Sequence, residues 1–249
     1  MKKVIINPQY QYYSDFIESL PEIFSTEGTT IHKGRNEVKI FHAKGIDLVV
    51  KSFKIPHFIN KIAYSFFRLS KARRSYEYAL ILKEKKINTP DPIAYIEIKQ
   101  NGLFSQSYYI SVYEEYPTLM REFRYHPLEG KEDLVQAFAQ FTAYIHNQEI
   151  LHLDYSSGNV LCKENETGYE FYLVDINRMK FGEVDMKSGC YNFRRLWGSD
   201  EMIVYMAGEY AKSRGFNEDE CAILALKYHR EFWKKYSKKH GGFKPYLEA

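Results

Sequence analysis

The stretch His152-Leu153-Asp154-Tyr155-Ser156-Ser157-Gly158-Asn159-Val160-Leu161 decides the reading of this chain. It is a short polar segment framed by apolar runs, with Ile150 and Leu151 before it and Val160 and Leu161 after it. Asp, Ser, Gly and Asn are turn formers, so a loop between two β-prone runs is expected. A second acid ends the strand-like run Phe171-Tyr172-Leu173-Val174-Asp175.

Composition sets the frame around that loop. A chain of 249 residues has ample material for one large or two modest domains. Its formal net charge is only +3, so any basic patch is local and no nucleic-acid partner is expected. The three cysteines, Cys162, Cys190 and Cys221, are far apart and odd in number. They form neither a disulfide framework nor a zinc spacing, which fits a reducing cytoplasm. The apolar run Val4-Ile5-Ile6 is too short for a signal peptide. No run reaches the roughly 18 apolar residues of a membrane-spanning helix.

Upstream of the loop, residues 1–28 carry helix-like spacing at Phe16, Leu20, Ile23 and Phe24, interrupted by Pro21, and suit a short helix or an irregular cover. Residues 29–54 read as three strands, the first two flanking Gly34-Arg35-Asn36 as a hairpin. In Leu48-Val49-Val50-Lys51-Ser52-Phe53-Lys54, alternation puts Val49, Lys51 and Phe53 on one face. A lysine in an apolar strand is costly to bury unless an anion meets it, which singles out Lys51, with Lys54 the solvated alternative. Residues 55–74 are aromatic, then basic; they suit either an extra packed helix or a patch facing a membrane or an anionic substrate. A helix follows around Ala72–Leu82 with Glu77 in its middle. Next come strands around 90–98 and 107–113, joined by the turn Asn101-Gly102. Glu114-Glu115-Tyr116-Pro117 breaks the pattern, and a helix from Asp133 to His146 leads back to the loop. Beyond Asp175, Asn192-Phe193-Arg194-Arg195 opens a helical remainder, with helices around 201–214 and 217–239.

The spacing H-x-D-x-x-x-x-N, followed by an apolar run that ends in Asp, resembles the catalytic loop of kinase-like phosphotransferases. The resemblance implies an α+β, two-lobed protein-kinase-like fold. An N-terminal lobe of antiparallel sheet and helix, residues 1–115, would bind the nucleotide. A mainly helical C-terminal lobe, residues 116–249, would carry catalysis. It implies ATP and Mg²⁺ as cofactors and assigns roles. Asp154 accepts the acceptor proton, His152 braces the loop, and Asn159 and Asp175 offer the oxygen ligands that a hard ion takes. Lys51 holds the phosphates and Glu77 orients it, with Glu84 the rival. Gly34 lies over the phosphates and the backbone near Glu114 and Tyr116 meets the adenine edge. Asp175-Ile176-Asn177 departs from the Asp-Phe-Gly of protein kinases, and no Ala-Pro-Glu follows.

Five segments together are similar to the bacterial lipopolysaccharide core kinase family. They are Val49-Val50-Lys51-Ser52-Phe53-Lys54, Ala72-Arg73-Arg74-Ser75-Tyr76-Glu77, Asn88-Thr89-Pro90-Asp91-Pro92, His146 with His152-Leu153-Asp154 and Gly158-Asn159, and Asp175-Ile176-Asn177. That resemblance implies a Kdo or heptose hydroxyl as acceptor, a lipid-linked sugar as partner, and work at the cytoplasmic face of the inner membrane. It leaves the oligomeric state open. A compact protein kinase, another small-molecule phosphotransferase and a nucleotide-binding scaffold are the alternatives.

Overall fold

The computed structural model describes residues 1–54, 64–65, 67–115, 118–120, 127–166 and 168–241. The chain divides into two compact units, Met1–Glu115 and Tyr116–Ala249. It is a mixed α+β fold.

The first unit is built on a six-stranded antiparallel sheet. Its strands are β1 (Lys2–Ile6), β2 (Thr29–Lys33), β3 (Glu37–Ala43), β4 (Ile46–Phe53), β5 (Pro92–Gln100) and β6 (Leu103–Val112). They lie in the order β1-β5-β6-β4-β3-β2. The β5–β6 hairpin closes through Asn101 (φ 51°) and Gly102 (φ 78°), the paired left-handed residues of the tightest hairpin turn. On one face α1 (Ser14–Ile23) and the turn before it bury Tyr13, Ile17 and Leu20 against Phe41, Leu48, Val50 and Ile110. On the other, α2 (Lys71–Glu84) packs Ala72 and Tyr76 against Phe53 and Tyr95. Ser70 caps α2 by accepting from the Arg73 amide at 3.0 Å.

Two expectations for this unit are corrected. The N-terminal segment is not only helix or irregular cover, because Lys2–Ile6 forms an edge strand in register with Ile98–Ala94. Alternation over five residues is too brief a signal without its partner. Pro21 does not break α1, which runs on to Ile23. Near the helix end the missing N–H of proline removes a single bond, and the buried Ile17 and Leu20 hold the rest. The expected element at 55–63, and Phe66, lie outside the described residues.

The second unit places α3 (Glu132–Asn147) ahead of β8 (Ile150–His152), the polar loop, and the hairpin β9 (Val160–Asn165) and β10 (Gly168–Leu173). The short strand β7 (Thr118–Leu119) pairs with β9, and β11 (Met179–Phe181) pairs with β8. Then come α4 (Met186–Asn192), α5 (Asp200–Arg214) and α6 (Glu218–Lys239). The helical remainder therefore opens at Met186 rather than at Asn192. Asp185 caps α4 by accepting from the Ser188 amide at 2.7 Å. The buried face of α3 is formed by Leu134, Val135, Phe138, Ala139, Thr142, Ala143 and Ile145, with Ala137 and Phe141 half-buried at its edge. His146 is a packed structural histidine. Its Nδ1 lies 2.9 Å from the Tyr210 hydroxyl, its Nε2 lies 3.3 Å from the Asn192 amide, and burial lowers its pKa to about 3.

Candidate active site

Two hairpins and one register build the site in the second unit. The β9–β10 ladder pairs Leu173 with Val160, and the Val174 amide donates to the Asn159 carbonyl at 3.0 Å. Asn159 and Asp175 thus sit at the same end of one hairpin. The β8–β11 ladder pairs His152 with Met179, and the Leu153 amide donates to the Arg178 carbonyl at 2.9 Å. That register brings Arg178 alongside Asp154.

His152 ties these pieces together. Its Nε2 lies 3.2 Å from the Val174 carbonyl, and the Asp154 amide donates to its Nδ1 at 3.1 Å. A carbonyl accepts only, so Nε2 carries the proton and Nδ1 is the acceptor. The ring is fully enclosed, and burial lowers its pKa to about 4, so it stays neutral in this geometry. It ties the start of the loop to the residue that follows β10.

Asn159 donates its side-chain N–H to the Asp154 carbonyl at 2.9 Å, and its own amide donates to Ser156. With the amide nitrogen so committed, the amide oxygen is the group that Asn159 can present to a cation. Asp175 takes a left-handed conformation at φ 53°, and Asn177 donates to its carboxylate at 2.5 Å. Asx residues tolerate that region. Below the loop, Tyr155 stacks on Phe138 at 5.8 Å and shares a 2.8 Å hydrogen bond with Thr142. Ser157 accepts from the Trp197 amide at 2.8 Å.

The Asp154 carboxylate, only 19% exposed, meets two guanidiniums: Arg195, in direct contact, and Arg178 at 3.6 Å. The sequence reading missed both as site residues. Arg178 was reachable only through the β8–β11 register. Arg195 follows Arg194, which instead stacks on the Tyr191 ring at 3.9 Å, and no local pattern separates the two. Burial lowers the Arg195 pKa from its ordinary value.

In the first unit, Lys51 lies on the β4 face shared with Phe53, its Nζ 5.4 Å from that ring. Lys54 is exposed, and its amide donates to Asn36 at 3.2 Å. Glu77 has a partner that was not expected. Arg73, one helical turn earlier, donates to it at 2.7 Å, the i,i+4 geometry that a helix favours. Gly34 sits at the β2–β3 tip, where an added Cβ would meet only the exposed His32 ring, at 2.9 Å. Glu114 is exposed just past β6. Tyr116 lies outside the described residues.

Against this geometry, the sequence matches the model of the lipopolysaccharide kinase (Kdo/WaaP) family over residues 31–203. The chain belongs to the lipopolysaccharide kinase (Kdo/WaaP) family. That stretch covers β3 through the start of α5, including the whole polar loop and both arginines that flank Asp154. Membership makes the chain an ATP-using kinase acting on a sugar of lipopolysaccharide. A solved structure of WaaP in complex with acyl carrier protein superposes with a TM-score of 0.65 at 12% identity. The superposition covers 96% of this chain and 99% of that one. At that identity the likeness is one of fold. No curated protein matches the sequence directly. Among the described residues no helix is long and apolar enough to cross a membrane.

Proposed function

We propose that this kinase moves the γ-phosphoryl group of ATP onto a Kdo or heptose hydroxyl of the lipopolysaccharide inner core, with Asp154 as the acceptor base. The observation that carries the proposal is the centring of Asp154. Its backbone is held by His152 and Asn159 and its carboxylate by Arg178 and Arg195. In the reaction a bond forms between the sugar oxygen and the γ-phosphorus as the bond to the ADP oxygen breaks. The sugar proton passes to the Asp154 carboxylate. Positioning supplies most of the acceleration, since the transition state is loose.

Asn159 and Asp175 would hold Mg²⁺. Their donors suit the ion: one amide oxygen and one carboxylate, at one end of a hairpin, leave most of its positions to water and phosphate. The bound ion neutralises phosphate charge. Lys51 would neutralise the α- and β-phosphates. Glu77, which also accepts from Arg73, would orient Lys51, and Gly34, Glu114 and Tyr116 would contribute backbone to the nucleotide.

A lipid-linked acceptor brings the enzyme to a membrane surface. Phe67, 85% exposed beside Arg68, supports a peripheral contact on the first unit. The deciding experiment supplies Mg·ATP and a Kdo- or heptose-bearing lipid A precursor to the purified protein, with Asp154→Ala as control. A gain of one phosphate on the glycolipid, lost in the variant, is expected. Transfer that persists in Asp154→Ala refutes the role of Asp154. Binding of Mg·ATP without transfer to any acceptor refutes the kinase reading in favour of a scaffold.

A further inference from the structure

Two guanidiniums converge on the single carboxylate of Asp154. Arg178 arrives through the β8–β11 register and keeps half of its side chain in solvent, 51% exposed. Arg195 arrives from the turn after α4, is 32% exposed, and lies 5.8 Å from the Phe232 ring. One carboxylate balances one of the two charges. A partly desolvated guanidinium beside an aromatic ring favours an anion with planar oxygens, which the arginine fork meets two at a time. One guanidinium fork suffices to hold a carboxylate.

We infer that Arg178 and Arg195 form an acceptor subsite for an anionic substituent, the carboxylate of a sugar acid, next to the hydroxyl that is phosphorylated. This rests on the kinase reading above and narrows its acceptor to the acidic core sugar, Kdo, over a neutral heptose. On binding, the sugar carboxylate takes the two guanidiniums, the local charge becomes two against two, and Asp154 turns to the hydroxyl. Arg178, being the more exposed, makes the outer contact, and Arg195 the inner one.

The test compares two soluble acceptors with the purified full chain and Mg·ATP: a methyl Kdo glycoside, and the same glycoside with its carboxylate reduced to a hydroxymethyl group. The reduced compound keeps the ring and every original hydroxyl. Its kcat/KM should be about 100-fold lower, in the range of a lost charge-assisted pair. Arg178→Gln should raise KM for the acid glycoside about tenfold and shrink the preference between the two compounds. Arg195→Lys, which keeps the charge but not the fork, should shrink it too. Equal kcat/KM for the two glycosides overturns the subsite while the kinase reading stands. A heptoside bearing a phosphate that outruns the Kdo glycoside likewise overturns the carboxylate assignment. Transfer to no sugar, glycolipid included, ends both readings together.

Discussion

The β2–β3 tip at Lys33–Glu37 and the loop at His152–Asn159 are both turns between strands, and they are built in opposite ways. Every residue of β2 is exposed, and the tip rests on the Gly34–Asn36 backbone bond, the Asn36–Lys54 bond and a 3.9 Å Lys33–Glu37 ion pair. An ion pair so exposed contributes little. In the loop, by contrast, the side chains of His152, Tyr155, Ser157 and Asn159 each have a named partner within hydrogen-bonding distance, and Tyr155 and His152 are enclosed. The difference teaches where this kinase keeps its fixed geometry: at the loop proposed to meet the acceptor and the metal ion, whereas the hairpin tip has few holds.

Substitutions can break or sharpen that contrast. The largest effect is expected from Asp175→Asn. It keeps the shape but removes the charge, and should move the Mg²⁺ activation curve upward by roughly 10–100-fold with a steep fall in kcat. A curve that stays in place would remove Asp175 from the metal site. Next comes His152→Ala. It deletes two loop hydrogen bonds and leaves a cavity, so a loss of about 2–4 kcal/mol in denaturant unfolding is expected, with activity falling alongside. Unchanged stability would show that the loop is held without its brace.

Acidity gives the third effect. His146, His152 and His229 are buried and neutral, with folded pKa values lowered to about 3, 4 and 4. The unfolded chain takes up these protons near pH 6.5, and the folded chain does not. Stability is therefore full above about pH 6.5 and falls as pH drops toward 4, by up to about 2 kcal/mol for each histidine by pH 5. Melting curves between pH 7.5 and 5 should show the decline, and His146→Gln should flatten it. The smallest effect belongs to the tip. Gly34→Ala displaces only the exposed His32 ring, so KM for ATP should stay within about threefold. A tenfold rise would make the hairpin a tight phosphate clamp after all.

Much of this was legible in the chain. The runs around Lys51 read as strands, Asn101-Gly102 names its turn, and the loop residues keep the H-x-D-x-x-x-x-N spacing. The missing parts share one cause: they depend on partners far along the chain. Lys2–Ile6 is a strand because Ala94–Ile98 lies beside it. Arg178 reaches Asp154 because His152 pairs with Met179. Arg195 and Arg194 are neighbours with opposite employments, settled by which way a short turn points them.

The pairing of Lys2 with Ile98 also sets a schedule. On a ribosome adding roughly 5–20 residues per second, β1 emerges on the order of 5–20 s before β5, the strand it pairs with. During that interval the segment Lys2-Lys3-Val4-Ile5-Ile6 is an unpaired, partly apolar strand. Its two lysines are the kind of charge that discourages edge pairing with the wrong chain. The first strand made thus completes the sheet among the last, and the nascent protein carries its own guard against misassembly while it waits.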